Sequence, residues 1–166
     1  MSRFDLAMPY IFANEGGYSN LAADHGGATS FGITEATARA SGYSGDMREL
    51  TKDQASEIYH RKYWRFTPLD DQRVATKLMD LSVNLGPGRA TRLAQQALNQ
   101  MDAGVEVDGI YGPLTESTIN SVAPGQFLEH LIQVSIDHYS AVVHHDPTQA
   151  VFLKGWLRRA QRVPNE

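Results

Sequence analysis

The sequence predicts a mainly α-helical protein (α+β), in which a helical bundle carries a small N-terminal loop or β-hairpin lobe. Two observations support this fold class. Apolar residues recur at helical spacing through most of the 166 residues, and one stretch, from Tyr18 to Ile33, breaks into Gly, Asn, Ser and Asp. The apolar fraction of 42% is typical of a globular protein and too high for a disordered chain.

The first predicted helix carries Phe4, Met8 and Ile11 on one face, and the glycine pair that starts at Gly16 ends it. Pro9 lies inside this pattern. We expect it to kink the helix or to shift its start, because proline lacks the backbone N–H that a helix interior needs.

Two short helices are predicted after the Gly-rich stretch. Thr34 can cap the first of them, which closes near Gly42. Thr51 and Gln54 have the spacing of a capping box at the start of the second, which runs to about Trp64.

Five more helices follow in the second half. The first stops at Gly-Pro-Gly (86–88), and the next, from Ala90 to Met101, is strongly amphipathic. A turn-rich linker then leads to Pro113, which suits the first turn of a helix. A long helix covers Phe127 to Val143, and Asp146-Pro147 starts the last one.

Composition excludes several classes of protein. The chain has no cysteine, so it contains neither disulfides nor thiolate sites, and its net charge of −4 argues against a general nucleic-acid binder. Its six histidines fit no metal-binding motif, so we expect neither a metal nor a cofactor. The start lacks the pattern of an ordinary secretory signal, and no apolar run is long enough to span a membrane.

The strongest chemical signal is the stretch "NEGGYSNLAADHGGATSFGIT", from Asn14 to Thr34. Glu15 follows an apolar helix, whose unpaired carbonyl groups favour a neutral carboxyl group that can donate a proton. Asp24 and Thr29 lie in a segment able to fold back over Glu15, and two carboxyl groups are the usual requirement of glycoside hydrolysis. Spacing alone equally allows a helix end followed by a Gly-rich turn with two surface acids.

These residues resemble a known pattern. "EGGYSN" followed by "DHGGATSFGIT" is similar to the signature of glycoside hydrolase family 108, the bacterial and phage N-acetylmuramidases. The order Glu, Asp, Thr is also similar to the catalytic arrangement of small phage lysozymes. Three later blocks resemble the predicted peptidoglycan-binding region that accompanies the family: "LMDLSVNLGPGRATRLAQQALN", "VDGIYGPLTESTI" and "FLKGWLRRAQR". The blocks cover nearly the whole chain in the family's order.

The resemblance implies a single lysozyme-like domain over residues 1–166. Within it, a catalytic muramidase region would cover residues 1–70, and a helical peptidoglycan-binding region packed with it would cover residues 71–166. The resemblance further implies that Glu15 is the general acid and that Asp24 and Thr29 handle the attacking water.

Three residues are candidates for sugar contact. The resemblance implies that Tyr18 and Asn20 line the sugar groove. Tyr111, in the "VDGIYGP" turn, offers a flat face to a sugar ring, and the alternative is that it belongs to the core.

The expected function is that of a monomeric endolysin, a peptidoglycan hydrolase that cleaves the β-1,4 bond between N-acetylmuramic acid and N-acetylglucosamine. Without a signal peptide, it would accumulate in the host cytoplasm and reach the cell wall when a holin opens the inner membrane. Two alternatives stay open. A lytic transglycosylase would use the same glutamate and form a 1,6-anhydro product, and a non-enzymatic protein would only bind peptidoglycan.

The last predicted helix is basic on one face. Opposite its aromatic residues it carries four cations, Lys154, Arg158, Arg159 and Arg162. This amphipathic spacing allows a weak contact with the outer membrane. A packed helix whose final cations complement its dipole explains the pattern as well, and we favour that explanation.

Overall fold

The computed structural model describes residues 3–15 and 29–165. Within these ranges the chain contains eight α-helices, one short 3₁₀ helix and a two-stranded antiparallel sheet, which confirms the predicted mainly α fold class. None of the helices in these ranges is both long and apolar enough to cross a membrane.

The chain forms two compact units. The N-terminal unit is Phe4–Trp64, and the C-terminal unit is Arg65–Glu166 together with Met1–Arg3. The N-terminal unit contains α1 (Phe4–Asn14), β1 (Thr29–Ser30), β2 (Ile33–Thr34), α2 (Glu35–Ala40) and α3 (Lys52–Tyr63). The C-terminal unit contains α4 (Gln72–Leu85), α5 (Pro87–Asn99), α6 (Pro113–Ser121), α7 (Pro124–His145), the 3₁₀ helix Pro147–Gln149 and α8 (Ala150–Gln161).

The helix ends in the N-terminal unit follow the sequence closely. The Thr34 hydroxyl accepts a hydrogen bond from the N–H of Thr37 and caps α2. At the start of α3, Thr51 and Gln54 form both bonds of the capping box, as predicted. Helix α1 begins at Phe4 and contains Pro9, so the proline does not shift the start of the helix.

The C-terminal unit is a bundle in which α4 packs on α5, α5 on α7, and α7 on α8. Gly86 adopts a φ of +85° between α4 and α5, and Pro87 starts α5 directly after it. Pro113 occupies the first turn of α6, as predicted. The last helix differs from the prediction: Asp146 caps the 3₁₀ turn, and α8 begins only at Ala150.

Buried polar side chains connect α8 to α4. Arg159 donates through Nη2 and Nε to Oδ1 of Asp80, over 2.9 and 3.0 Å, and the Asp80 side chain is only 1% exposed. Lys77 is fully buried, and its Nζ donates to the carbonyl oxygens of Arg159 and Arg162, over 2.8 and 2.9 Å. Carbonyl groups in the last turn of a helix have no partner within that helix, so Lys77 supplies hydrogen-bond donors to carbonyl groups at the C-terminal end of α8.

This network corrects one sequence expectation. Arg159 does not belong to an exposed basic face with the other three cations of the last helix, because it is paired with Asp80. Lys154, Arg158 and Arg162 are exposed residues. A weak contact of these three with the outer membrane stays a prediction.

We expect Lys77 to make the stability of the protein rise with pH in the alkaline range. Burial lowers the pKa of Lys77 to about 8, although the charge of Asp80 opposes the shift. The unfolded chain therefore binds more protons than the folded protein between about pH 8 and the ordinary lysine pKa of about 10.4, so the free energy of unfolding increases there. The lowering of the Lys77 pKa from its ordinary value to about 8 corresponds to a gain of about 3 kcal/mol in the free energy of unfolding across this pH range.

The measurement is urea unfolding of the wild-type protein and of Lys77→Met at several pH values from 7 to 10. The variant loses the two hydrogen bonds at every pH, but it also lacks the titrating amine. The free energy of unfolding of the wild-type protein should therefore gain on that of the variant as the pH rises. Parallel curves would show that Lys77 is protonated throughout.

Candidate active site

Glu15 lies at the C-terminal end of α1. Its backbone N–H donates to the carbonyl oxygen of Ile11 over 3.1 Å, which completes the last turn of the helix. The side chain is half-buried. The predicted position at the end of an apolar helix is thus confirmed. The hydrogen bond holds the backbone of Glu15, from which the side chain extends, at the end of α1.

A β-hairpin lies against this carboxyl group. Strand β1 pairs with β2 so that Thr29 faces Thr34 and Ser30 faces Ile33. The two-residue loop between the strands is Phe31-Gly32, and the Cα of Gly32 faces the Glu15 side chain. The structure therefore brings Glu15 together with the hairpin that begins at Thr29.

Three predicted site residues, Tyr18, Asn20 and Asp24, lie outside the residues that the structure describes. Their roles stay predictions. Thr29 is described, and it is half-buried at the start of β1.

Aromatic residues of α1 and α3 contact the hairpin loop. The hydroxyl group of Tyr59, on α3, donates to the carbonyl oxygen of Phe31 over 2.7 Å. The ring of Phe12, on α1, packs edge-to-face against Phe31 and Tyr59, with ring centroids 5.8 and 6.0 Å apart. The ammonium group of Lys52 lies 4.8 Å from the centroid of the Phe12 ring, within the range of a cation–π interaction.

Sequence reasoning did not single out Gly32 or Tyr59 as functional residues. Tyr59 has the spacing of an ordinary buried helix residue. Gly32 had a weak signal, because a glycine between two short β-prone segments suits a two-residue hairpin loop.

Tyr111 lies in the C-terminal unit, in the loop before α6. Its ring packs edge-to-face against Phe66, with the centroids 5.1 Å apart. Its hydroxyl oxygen is buried and has no hydrogen-bond partner among the described residues. Burial raises the pKa of the Tyr111 hydroxyl, and the charge of Glu116 adds to this shift. Much of the side chain therefore serves packing, and contact with a sugar stays a prediction.

A separate groove of about 480 Å³ lies on α1 and α3. Phe4, Asp53, Ser56, Glu57, His60 and Arg61 line it. Phe4 is the first residue of α1, so the groove lies about 16 Å along the helix axis from Glu15, at 1.5 Å per residue. Of the predicted site residues that the structure describes, Glu15, Thr29 and Tyr111, none lines this groove. In the ranges that the structure describes, no group of three His, Asp or Glu side chains could hold a metal ion.

Comparison with protein families divides the chain into two parts. Residues 8–86 match the family model described as Glycosyl hydrolase 108, and residues 89–161 match the model described as Predicted Peptidoglycan domain. The first match ends at Gly86, directly after α4, so it includes both Glu15 and the hairpin.

The solved structure of Brucella abortus SagA is similar to nearly the whole chain. It is 31% identical, the similarity covers 96% of this chain and 90% of that chain, and the TM-score is 0.77. None of the curated proteins matches the chain. Glu15 and its hairpin lie within the matched catalytic model, and the similarity to SagA extends over both units. The chain therefore belongs to glycoside hydrolase family 108, its second part matches a predicted peptidoglycan domain, and it is a glycoside hydrolase that acts on peptidoglycan.

Proposed function

We propose that this hydrolase is an N-acetylmuramidase, which cleaves the β-1,4 bond between N-acetylmuramic acid and N-acetylglucosamine. Glu15 is the general acid. The observation that carries this proposal is the placement of Glu15: its carboxyl group is fixed at the end of α1 and packs against the hairpin, within the part of the chain that matches the glycosyl hydrolase model.

In the proposed reaction, Glu15 gives its proton to the bridging oxygen while the bond from that oxygen to the anomeric carbon breaks. The electron pair leaves with the oxygen of N-acetylglucosamine, and the muramic acid ring develops oxocarbenium-ion character. Asp24 stabilises this charge or takes a proton from the water that adds to the anomeric carbon, and Thr29 orients the water. Tyr18, Asn20 and Tyr111 are the proposed sugar contacts.

No metal or cofactor takes part in this scheme, because one proton donor, one water molecule and a second carboxylate supply all the atoms that the hydrolysis needs. The substrate is a long glycan strand with peptide side chains. The helical C-terminal unit, most of which matches the predicted peptidoglycan domain, is proposed to bind that strand.

The products formed from purified peptidoglycan sacculi test the proposal. The sacculi are digested, the soluble muropeptides are reduced with borohydride, and the fragments are separated and weighed by mass spectrometry. A muramidase leaves N-acetylmuramic acid at the reducing end, and borohydride converts that residue to its alcohol.

Each other product has its own meaning. A 1,6-anhydro muramic acid end would identify a lytic transglycosylase, which uses the same acid but needs no second carboxylate. Reduced N-acetylglucosamine at the fragment end would show that the other glycosidic bond is cleaved. Binding to sacculi without any soluble fragment would leave only the binding role that the C-terminal family model supports.

A further inference from the structure

The hairpin loop has an unusual backbone. Both of its residues have positive φ angles, +50° at Phe31 and +75° at Gly32. Two positive angles are typical of the type I′ turn, whose first position favours Asn, Asp or Gly. A bulky residue rarely adopts this conformation, so contacts elsewhere in the fold must hold Phe31 in it.

Those contacts come from Tyr59 and Phe12, the aromatic residues that pack against the loop. Tyr59 is only 1% exposed, and its hydroxyl group donates to the carbonyl oxygen of Phe31 over 2.7 Å. The Phe12 ring packs against the rings of both residues. Since Phe12 belongs to α1 and Tyr59 to α3, the loop is connected to both helices, including the helix that ends at Glu15.

The loop in turn leaves room for the Glu15 carboxyl group at Gly32. A Cβ atom at Gly32 would lie 2.7 Å from Cδ of Glu15 and 2.9 Å from its Cγ, and closer still to Oε2. Such contacts are far shorter than van der Waals separations, so the carboxyl group occupies the space that a side chain at position 32 would fill. Only glycine permits this approach at a positive φ.

We infer that Gly32 is a positioning residue for Glu15, and that the bond from Tyr59 to Phe31 holds the loop in the conformation that this role needs. The inference rests on the proposed function of Glu15 as the general acid. A general acid acts only within hydrogen-bond reach of the oxygen that it protonates, and a displacement of about 1 Å can cost about 100-fold in rate.

The test compares Gly32→Ala with Gly42→Ala. Gly42 belongs to the same unit and has a similar positive φ of +89°, but a Cβ there would meet no atom within 4 Å. Both substitutions place alanine in an unfavourable backbone conformation, and only the first displaces the carboxyl group. We expect Gly32→Ala to lower kcat on soluble glycan strands by about 10- to 100-fold with little change in KM. Gly42→Ala should keep the wild-type kcat.

A spectroscopic measurement separates this inference from the proposed function. The ¹³Cδ signal of Glu15 is assigned by its absence from the spectrum of Glu15→Gln. It should shift in Gly32→Ala and stay in place in Gly42→Ala. An unmoved signal in a folded Gly32→Ala protein would overturn the positioning role. A shifted signal with a wild-type kcat would instead show that Glu15 is not the general acid.

Tyr59→Phe provides a second variant in case Gly32→Ala does not fold. It keeps the buried ring and removes the hydroxyl donor to Phe31. The Glu15 signal should shift or broaden, because the loop is less firmly held, and kcat should fall. If this folded variant keeps both the signal and the rate of the wild-type protein, the Tyr59 bond does not hold the loop.

Discussion

Glu15→Gln should reduce the turnover of peptidoglycan by at least two to four orders of magnitude, the usual contribution of general acid catalysis. Glutamine has nearly the shape of glutamate, so it can occupy the same space against Gly32, but it has no proton to give to the leaving oxygen. The fold should survive. The measurement is the loss of turbidity of outer-membrane-stripped cells, with circular dichroism to verify the fold.

The neighbouring residues should show a graded response. Asp24→Asn should be harmful but leave more activity than Glu15→Gln. In the proposed reaction Asp24 stabilises the positive charge of the sugar ring or takes a proton from water, and it does not protonate the leaving oxygen. Thr29→Ala should be the mildest of the three if Thr29 only orients water. If Asp24→Asn is more damaging than Glu15→Gln, the two carboxyl groups have been assigned in the wrong order.

Glu57→Gln is a matched control for Glu15→Gln. It is the same chemical change in the same unit, at an exposed carboxyl group that lines the groove on α1 and α3. We expect activity close to that of the wild-type protein. If a folded Glu15→Gln protein lyses cells normally and Glu57→Gln loses lytic activity, the active site lies in that groove and not at Glu15.

Arg159→Met should cause the largest loss of stability among the substitutions considered for the C-terminal unit. The variant leaves the buried Asp80 carboxylate without the two hydrogen bonds from the guanidinium group. Removing one partner of a buried ion pair typically costs about 3–5 kcal/mol, because the remaining charge stays out of water. For a protein of this size, that loss lowers the melting temperature by on the order of 10 °C.

Arg158→Met is the control for this prediction. Arg158 precedes Arg159 on α8 but is exposed, and exposed substitutions usually change stability by less than about 0.5 kcal/mol. Urea unfolding monitored by circular dichroism compares the two variants. The double variant Asp80→Leu/Arg159→Met should recover part of the lost stability, since it removes both charges of the pair, although the buried Lys77 then loses the nearby charge of Asp80. Equal stability of Arg158→Met and Arg159→Met would show that the ion pair contributes nothing.

The sequence by itself determined the features that depend on neighbouring residues. Pro113 started α6, and Thr51 with Gln54 capped α3, because the groups that satisfy a helix end lie within one turn of it. Glu15 could be placed at the end of α1 for the same reason. The break in the helical pattern before Ile33 indicated a loop or small hairpin, although it gave no register.

Tertiary structure alone decided which distant residues meet. Helical spacing places Arg159 nearer than Arg158 to the face of α8 that carries Trp156, but only packing of α8 on the bundle pairs Arg159 with the buried Asp80. Likewise, Gly32 and Glu15 lie 17 positions apart, and the hairpin that brings them together is hydrogen-bonded to Tyr59 on a third element. Such pairings depend on how helices and strands pack together, whereas hydrophobic periodicity specifies only which face of each element is buried.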